Sequence, residues 1–205
     1  MDGRGVDKFF HLLNQSLKGA IQDKIKIILT GAQAGNLLGG NRPSMDIDFA
    51  ICCKKSCLKD VEMAIEEVAN ITGIAANFSE DIDRWSQITF LDYKSHAMPY
   101  KKFGIIEVTI LEPRYWSIGK IARYLDIDID DLVRVLKKNR VLATELALLW
   151  ARALLKSPRS SASFEFITHA EHFFKTYGRS IWGRGFDADR DVEVFYKQLG
   201  IKKKK

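Results

Sequence analysis

Two aspartates one residue apart, Asp46 and Asp48, lie in the apolar run MDIDFAIC. Side chains alternate along a strand, so both carboxylates would point to one face while Ile47 and Phe49 point to the other. Like charges this close repel, and partial burial adds a desolvation penalty. A cation between them reverses the repulsion, and Mg²⁺ prefers carboxylate oxygens. The pair therefore predicts a magnesium site, with two solvated aspartates on an edge strand as the alternative.

The stretch before the pair predicts a phosphate-binding turn. IKIILTG, residues 25–31, is typical of a buried strand that stops at a glycine, and AQAGNLL is typical of a short helix. A helix that follows a strand directly aims free backbone N–H groups and a positive dipole end at the space above the strand. Gly31 allows a close backbone approach, and Gln33 could add a side-chain amide. A plain strand-to-helix turn is the alternative for Gly31.

Residues 29–51, LTGAQAGNLLGGNRPSMDIDFAI, resemble the signature of the DNA polymerase β-like nucleotidyltransferase superfamily. The resemblance is greatest to a small bacterial branch that includes abortive-infection nucleotidyltransferase toxins. The matching positions are Gly31, Ala34, Leu37, Gly39, Arg42, Ser44, Asp46, Asp48 and Phe49. Ala32 departs from the pattern, because the family carries a second glycine or a serine there. The departure removes a serine contact to phosphate and leaves the turn itself intact.

This resemblance implies a Mg²⁺-dependent enzyme that moves a nucleoside monophosphate from a nucleoside triphosphate to an acceptor, with tRNA and protein as candidate acceptors. One or two Mg²⁺ ions would lie on Asp46 and Asp48. The residues expected to bind the nucleotide are Gly31, Ala32, Gln33, Arg42, Ser44 and Lys120. The toxin-like branch further implies an antitoxin-like partner.

Family members usually add a third acidic residue from a later strand. FGIIEVTIL, residues 103–111, offers Glu107, which shares a face with Ile105 and Thr109. An acid inside an apolar strand needs a partner, and two metal-bound aspartates across the sheet would provide one. We therefore expect Glu107 to complete the catalytic and metal-binding set. Asp92, at the end of the predicted strand WSQITFLDY, is the competing candidate.

Beyond Pro113 the sequence predicts only helices, at residues 117–138, 140–156, 161–177 and 187–199. The expected fold is therefore α+β. A nucleotidyltransferase-like mixed sheet with flanking helices would occupy residues 1–113, and a helical domain would occupy residues 114–205. The resemblance implies that this helical half shapes the acceptor site.

The toxin-like branch carries a lysine-bearing helix followed by an Arg-Asp-x-x-Asp-Leu element. This chain supplies Lys120, then Asp128 and Asp131, with Ile127 where the arginine would stand. Lys120 would neutralise a triphosphate, as lysine does in other phosphoryl-transfer sites, although an exposed helix lysine fits equally well.

The same stretch, IARYLDIDIDDLVRVLKKN, also has the apolar rhythm of a helix-turn-helix. Four aspartates, at positions 126, 128, 130 and 131, would then oppose DNA phosphates of like charge. Two alternatives from other classes accordingly stay open. One is a helix-turn-helix DNA-binding protein, and the other is a catalytically inactive nucleotidyltransferase-fold binding module.

Composition limits the class of protein. The chain has 205 residues, 46% of them hydrophobic and 28% charged, which suffices for a globular core. It lacks a run of about 18 apolar residues, and MDGRGVDKFF is unlike a signal peptide. Three clustered cysteines, Cys52, Cys53 and Cys57, form a poor disulfide framework. We therefore expect a cytoplasmic protein with no membrane association, and its net charge of +6 permits a polyanionic partner.

Overall fold

The computed structural model describes residues 3–201, which fold as an α+β protein with a helical C-terminal half. Two compact units divide the chain. The first contains the residues up to Leu37, Asn41–Ile82 and Lys94–Glu112, and the second contains Leu38–Gly40, Asp83–Tyr93 and the chain from Pro113 onward. Two short segments within the first 113 residues thus belong to the helical unit. No helix within residues 3–201 is both long and apolar enough to cross a membrane.

The first unit is a mixed sheet of five strands with three α-helices. Along the chain these elements are α1 (Gly3–Leu17), β1 (Ile25–Thr30), α2 (Gly31–Leu37), β2 (Asp46–Cys52), α3 (Lys55–Thr72), β3 (Ala75–Ser79), β4 (Ala97–Phe103) and β5 (Ile106–Leu111). The strand order is β3-β2-β1-β5-β4. Strand β1 is antiparallel to β2 and parallel to β5, β2 is parallel to β3, and β4 is antiparallel to β5.

An aromatic cluster anchors β2 to α1. Phe9 and Phe10 are fully buried on α1, and their rings lie 6.5 and 5.7 Å from the ring of Phe49 in edge-to-face arrangements. Complete burial of a side chain of this size stabilises a fold by about 1.5–3 kcal/mol. Because Phe49 points away from Asp48, α1 covers the face of the sheet opposite the two aspartates.

The second unit contains five α-helices: α4 (Pro113–Arg123), α5 (Asp126–Lys138), α6 (Ala143–Lys156), α7 (Ser161–Trp182) and α8 (Ala188–Leu199). Trp150 of α6 is fully buried and lies 5.3–6.4 Å, between ring centroids, from three phenylalanines of α7: Phe166, Phe173 and Phe174. Its indole N–H donates to Ser117 Oγ at 2.9 Å. This donation satisfies the one polar atom of an otherwise apolar core side chain.

Several elements differ from the sequence-based expectation. Residues 85–93 form no strand: Trp85 ends a short 3₁₀ turn, Ile82–Trp85, and Tyr93 begins another, Tyr93–Ser95. The buried ring of Phe90 occupies the space above Gly119 of α4, where a Cβ would lie only 2.8 Å from it. An apolar alternation cannot distinguish such a buried loop from a strand.

The expected linker KSHAMPYKK contains most of β4, and the sheet accommodates Pro99 at a register shift between Pro99 and Lys101. β3 was not predicted. The expected helix at 117–138 is divided by Tyr124, whose φ of 52° ends the helical conformation between α4 and α5.

Candidate functional site

Asp46 and Asp48 are the first and third residues of β2, and both carboxylates lie on one face of the sheet. Ile47 and Phe49, which alternate with them, are fully buried on the other face. The two aspartates themselves are only partly buried. The apolar pair therefore anchors the strand, while the acidic pair stays accessible at its N-terminal end.

Both carboxylates are held by hydrogen bonds from neighbouring side chains. Ser44, buried in the loop before β2, donates its hydroxyl to Asp46 Oδ1. Asn77 Nδ2 donates to Asp48 Oδ1 at 3.0 Å and to Asp46 Oδ2 at 3.4 Å. One amide group thus contacts both acids, and Asn77 is the residue of the site that sequence reasoning missed. Finding Asn77 from the sequence would have required predicting the short strand β3, whose residues are all exposed or only partly buried.

Asn77 reaches this position because β3 pairs with β2 in parallel and places Asn77 directly opposite Asp48. Residues opposite one another in paired strands share a face of the sheet, so the amide and the carboxylate meet.

Gly31 brings the predicted turn against the same pair. It is the first residue of α2, has a φ of 65°, and follows Thr30, which pairs with Asp48. A Cβ at Gly31 would overlap the Asp48 carboxylate and would lie 2.6 Å from its carboxyl carbon. The missing side chain therefore lets this carboxylate rest against the backbone where β1 ends and α2 begins.

The other expected nucleotide-binding residues of the first unit are less accessible. Ala32 and Gln33 are 8% and 1% exposed, and Gln33 Nε2 and Oε1 make no hydrogen bond within the described part of the chain. A buried amide without partners is destabilising by about 1–3 kcal/mol. Arg42 is half-buried in the loop that leads into β2. The Gln33 amide lies inside the unit and is not displayed at its surface.

The structure does not bring Glu107 to the aspartate pair. Asp48 lies opposite Thr30, whereas Glu107 lies opposite Lys26, four residues earlier on β1. At about 3.3 Å per residue this separates the two levels by roughly 13 Å along the strand. Glu107 is half-exposed, and its carboxylate lies 3.9 Å from the ammonium group of Lys102 on the edge strand β4.

Strand β5 presents no acid at the level of the pair. Leu29 pairs with Ile110, so Leu111 comes level with Thr30, and Leu111 is fully buried. Thr109 is 3% exposed and donates its hydroxyl to the Ile27 carbonyl at 2.8 Å. The competing candidate, Asp92, belongs to the second unit and has a φ of 38° in a turn.

Among residues 3–201, no group of three or more His, Cys, Asp or Glu side chains is arranged to hold a metal ion. The site therefore offers two carboxylates and one amide, Asp46, Asp48 and Asn77. Two carboxylates are what a magnesium site that also uses substrate phosphates requires of the protein.

Lys120 lies in a buried ionic cluster of the second unit. It is 4% exposed, and its Nζ lies 3.0 Å from Asp128 Oδ1 and 2.7 Å from Asp131 Oδ2. Arg123 donates two hydrogen bonds of 2.6 Å to the same Asp128. Burial alone would raise the pKa of Asp128, but the hydrogen bonds from Arg123 and the charge of Lys120 outweigh it and hold the pKa below its usual range.

This cluster joins α4 to α5, and Lys120 directs its ammonium group at two carboxylates. Arg123 supplies the guanidinium group of this cluster, whereas the side chain of Ile127, next to Asp128, is 47% exposed. Because Asp128 and Asp131 are buried, the surface of α5 that a helix-turn-helix would present carries fewer acids than the sequence suggested. Leu125, immediately before α5, is 49% exposed.

Comparisons with protein-family models, with curated proteins and with solved structures find no match to this chain. Function is therefore inferred from the carboxylate pair, from its immediate neighbours and from the sequence signature in which it lies.

Proposed function

We propose that this protein is a Mg²⁺-dependent nucleotidyltransferase that transfers a nucleoside monophosphate from a nucleoside triphosphate to an RNA or protein acceptor. One observation carries the proposal: the backbone at Gly31 touches the carboxylate of Asp48, beside Asp46. Gly31, at the turn that the sequence predicts to bind phosphate, thus lies against the acidic pair, which follows it by about 15 residues. In the resembling superfamily, the same two features form the nucleotide site.

The acidic pair fits a divalent cation. Asp46 and Asp48 stand on one partly exposed face, where Ser44 and Asn77 donate hydrogen bonds to their carboxylates. Two like charges this close repel each other, and a divalent cation between them would turn that repulsion into attraction. Bound Mg²⁺ would activate the acceptor hydroxyl and offset the negative charge that develops at the α-phosphate and on the departing pyrophosphate.

The surrounding residues would then have distinct tasks. Gly31, lacking a side chain, leaves room for the Asp48 carboxylate against the backbone where β1 ends and α2 begins, so that the cation would lie beside the turn. Ser44 orients the Asp46 carboxylate from the loop before β2. Arg42, in the same loop, would offset charge on the pyrophosphate. By resemblance alone, the proposal extends to a toxin-like enzyme with an antitoxin-like partner.

A second candidate function is a nucleotide-binding module without turnover. Two observations favour it: Ala32 replaces the family's glycine or serine, and Glu107 lies about 13 Å along the sheet from the level of the pair. Such a module would bind nucleoside triphosphates with Mg²⁺ and transfer nothing.

The test is transfer of label from each of the four α-labelled nucleoside triphosphates, with Mg²⁺, into total RNA and cell protein. We expect labelled RNA or protein with the natural chain, and a loss of about 100-fold or more with Asp48→Asn, the size of effect seen when one preorganised electrostatic group is removed from an active site. Asp60→Asn, an exposed aspartate on α3, is the matched control and should transfer normally.

Undiminished transfer by Asp48→Asn would refute the proposed site. Mg²⁺-dependent nucleotide binding that Asp48→Asn abolishes, without label in any acceptor, would favour the binding module.

A further inference from the structure

We infer that Asn77 is the third ligand of the proposed cation site, a position that the sequence assigned to Glu107. Its amide nitrogen donates hydrogen bonds to both carboxylates. When a cation binds, the amide turns and presents its oxygen. The inference rests on the proposed function, because it concerns the cation that Asp46 and Asp48 would bind.

The position of Asn77 supports this role. It lies directly opposite Asp48 in the β2–β3 pairing, and its Nδ2 is 3.0 Å from Asp48 Oδ1 and 3.4 Å from Asp46 Oδ2. A single atom of the amide is therefore within reach of both acids. An atom at this point between two carboxylates occupies a place where a cation would gain most from their charge.

The two sides of the acidic pair differ in accessibility. Towards β1 and β5 the hydroxyl-bearing side chains are buried: Thr30, opposite Asp48, is 8% exposed, and Thr109 is 3% exposed and donates its hydroxyl to the Ile27 carbonyl. Towards β3, Asn77 itself is exposed, and β3 is the edge strand of the sheet. A hydrated cation would therefore enter beside Asn77.

The residue type is an independent indication. Asparagine is depleted in strands, where β-branched and aromatic residues are favoured, yet Asn77 occupies the centre of β3. Residues that contradict local preference are typical of functional positions. The carboxamide also suits both states of the site, since its NH₂ and its oxygen have nearly the same shape. A half-turn about the last side-chain bond exchanges a donor for an oxygen ligand of the kind that binds hard cations.

This role predicts the sign of a mutational effect. If the amide nitrogen stayed between the carboxylates, it would compete with the cation, and removing it would tighten cation binding. If the oxygen binds the cation, removing the amide weakens binding. Loss of a residue that supports a metal site typically lowers metal affinity by about 10–100-fold.

The experiment measures Mn²⁺ binding to the full chain, from the paramagnetic resonance signal of free Mn²⁺, for the natural protein and for Asp48→Asn, Asn77→Leu and Asn77→Asp. Asn70→Leu, an exposed asparagine on α3, is the matched control. We expect Asn77→Leu to bind Mn²⁺ at least about 10-fold more weakly. Asn77→Asp should bind as tightly as the natural chain or more tightly, and Asn70→Leu should be unchanged.

Asn77→Leu binding Mn²⁺ as well as the natural chain, or better, would overturn the inference, provided that Asp48→Asn still abolishes binding. If Asn77→Leu does not fold, as judged by circular dichroism, Asn77→Asp decides, and a 10-fold weakening would be the contrary result. No Mn²⁺ binding by the natural chain, or equal binding by Asp48→Asn, would instead remove the proposed function, and the inference with it.

Discussion

Replacing Lys120 with methionine tests whether this lysine serves the protein or a substrate. The side chain of Lys120 is 5% exposed and those of Asp128 and Asp131 are 0% and 5% exposed, with N···O distances of 3.0 and 2.7 Å. Lys120→Met keeps most of the side-chain volume and removes the positive charge. Two buried carboxylates then lose a cation that they both contact, while Arg123 still pairs with Asp128.

Breaking a buried ion pair by removing one partner destabilises a protein by about 3–5 kcal/mol. The whole stability of a domain is typically about 5–15 kcal/mol, so a large part of it would be lost. With a urea dependence of about 2 kcal/mol per M, a loss of about 4 kcal/mol lowers the unfolding midpoint by roughly 2 M.

Tryptophan fluorescence measures this unit selectively. All four tryptophans, at positions 85, 116, 150 and 182, lie in the second unit. A urea titration followed by their emission therefore reports unfolding of the helical unit alone. Lys137→Met, an exposed lysine at the end of α5, is the matched control and should change stability by less than about 0.5 kcal/mol. Lys120→Met combined with Asp131→Leu should recover part of the loss, because it also removes one of the unpaired charges.

The pH dependence of the free energy of unfolding provides a second test of the role of Lys120. The pKa of Asp128 is lowered in the folded state, so its contribution is present above the unfolded value of about 3.9 and is lost as pH falls through the folded pKa. Without Lys120 the pKa of Asp128 is lowered less. On acidification from about pH 5, the free energy of unfolding should therefore fall less in Lys120→Met than in the natural protein. If Lys120→Met unfolded at the same urea concentration as the natural chain and still lost nucleotide transfer, Lys120 would serve the substrate. The structural role deduced here would then be refuted.

Three further predictions concern the first unit. Gly31→Ala should destabilise the chain by about 1–3 kcal/mol because of the positive φ at this position, and it should also abolish Mn²⁺ binding and transfer. The control is Gly73→Ala, at a position with a φ of 66° and open space where a Cβ would lie. It should show only the loss of stability, measured by a thermal melt. Glu107→Gln should leave Mn²⁺ affinity and transfer within about twofold of the natural values, and a larger loss would contradict the strand register. Burial and a hydrogen bond to Asp7 raise the pKa of Tyr100 to about 12, so its stabilising effect is present below about pH 10 and is lost as pH rises towards 12. Burial also raises the pKa of Tyr196 to about 12 and raises the pKa of Tyr124, so Tyr100→Phe should reduce the late tyrosinate absorbance by one residue, and an unchanged titration would contradict this assignment.

Local periodicity was sufficient for part of the fold. The alternation of MDIDFAIC placed Asp46 and Asp48 on one face of β2. This pattern depends only on the geometry of a single strand.

Long-range pairing decided the rest of the candidate site. The pattern of β5 gives the face on which Glu107 lies, but only the pairing with β1 shows that it lies four residues from the level of Asp48. The same kind of pairing, between β2 and β3, brings Asn77 to both acids from a strand that the sequence did not predict.

Lys120 shows that the sequence also leaves open which group a charged side chain contacts. An isolated lysine in a helix has the same local pattern whether it faces solvent, a triphosphate or two aspartates. Here the packing of α5 against α4 directs it at Asp128 and Asp131. The sequence by itself determined which side chains share a face, because that depends on the repeat of one element. Only the tertiary structure decided which faces and levels meet, because register and helix packing depend on contacts between residues that are distant along the chain.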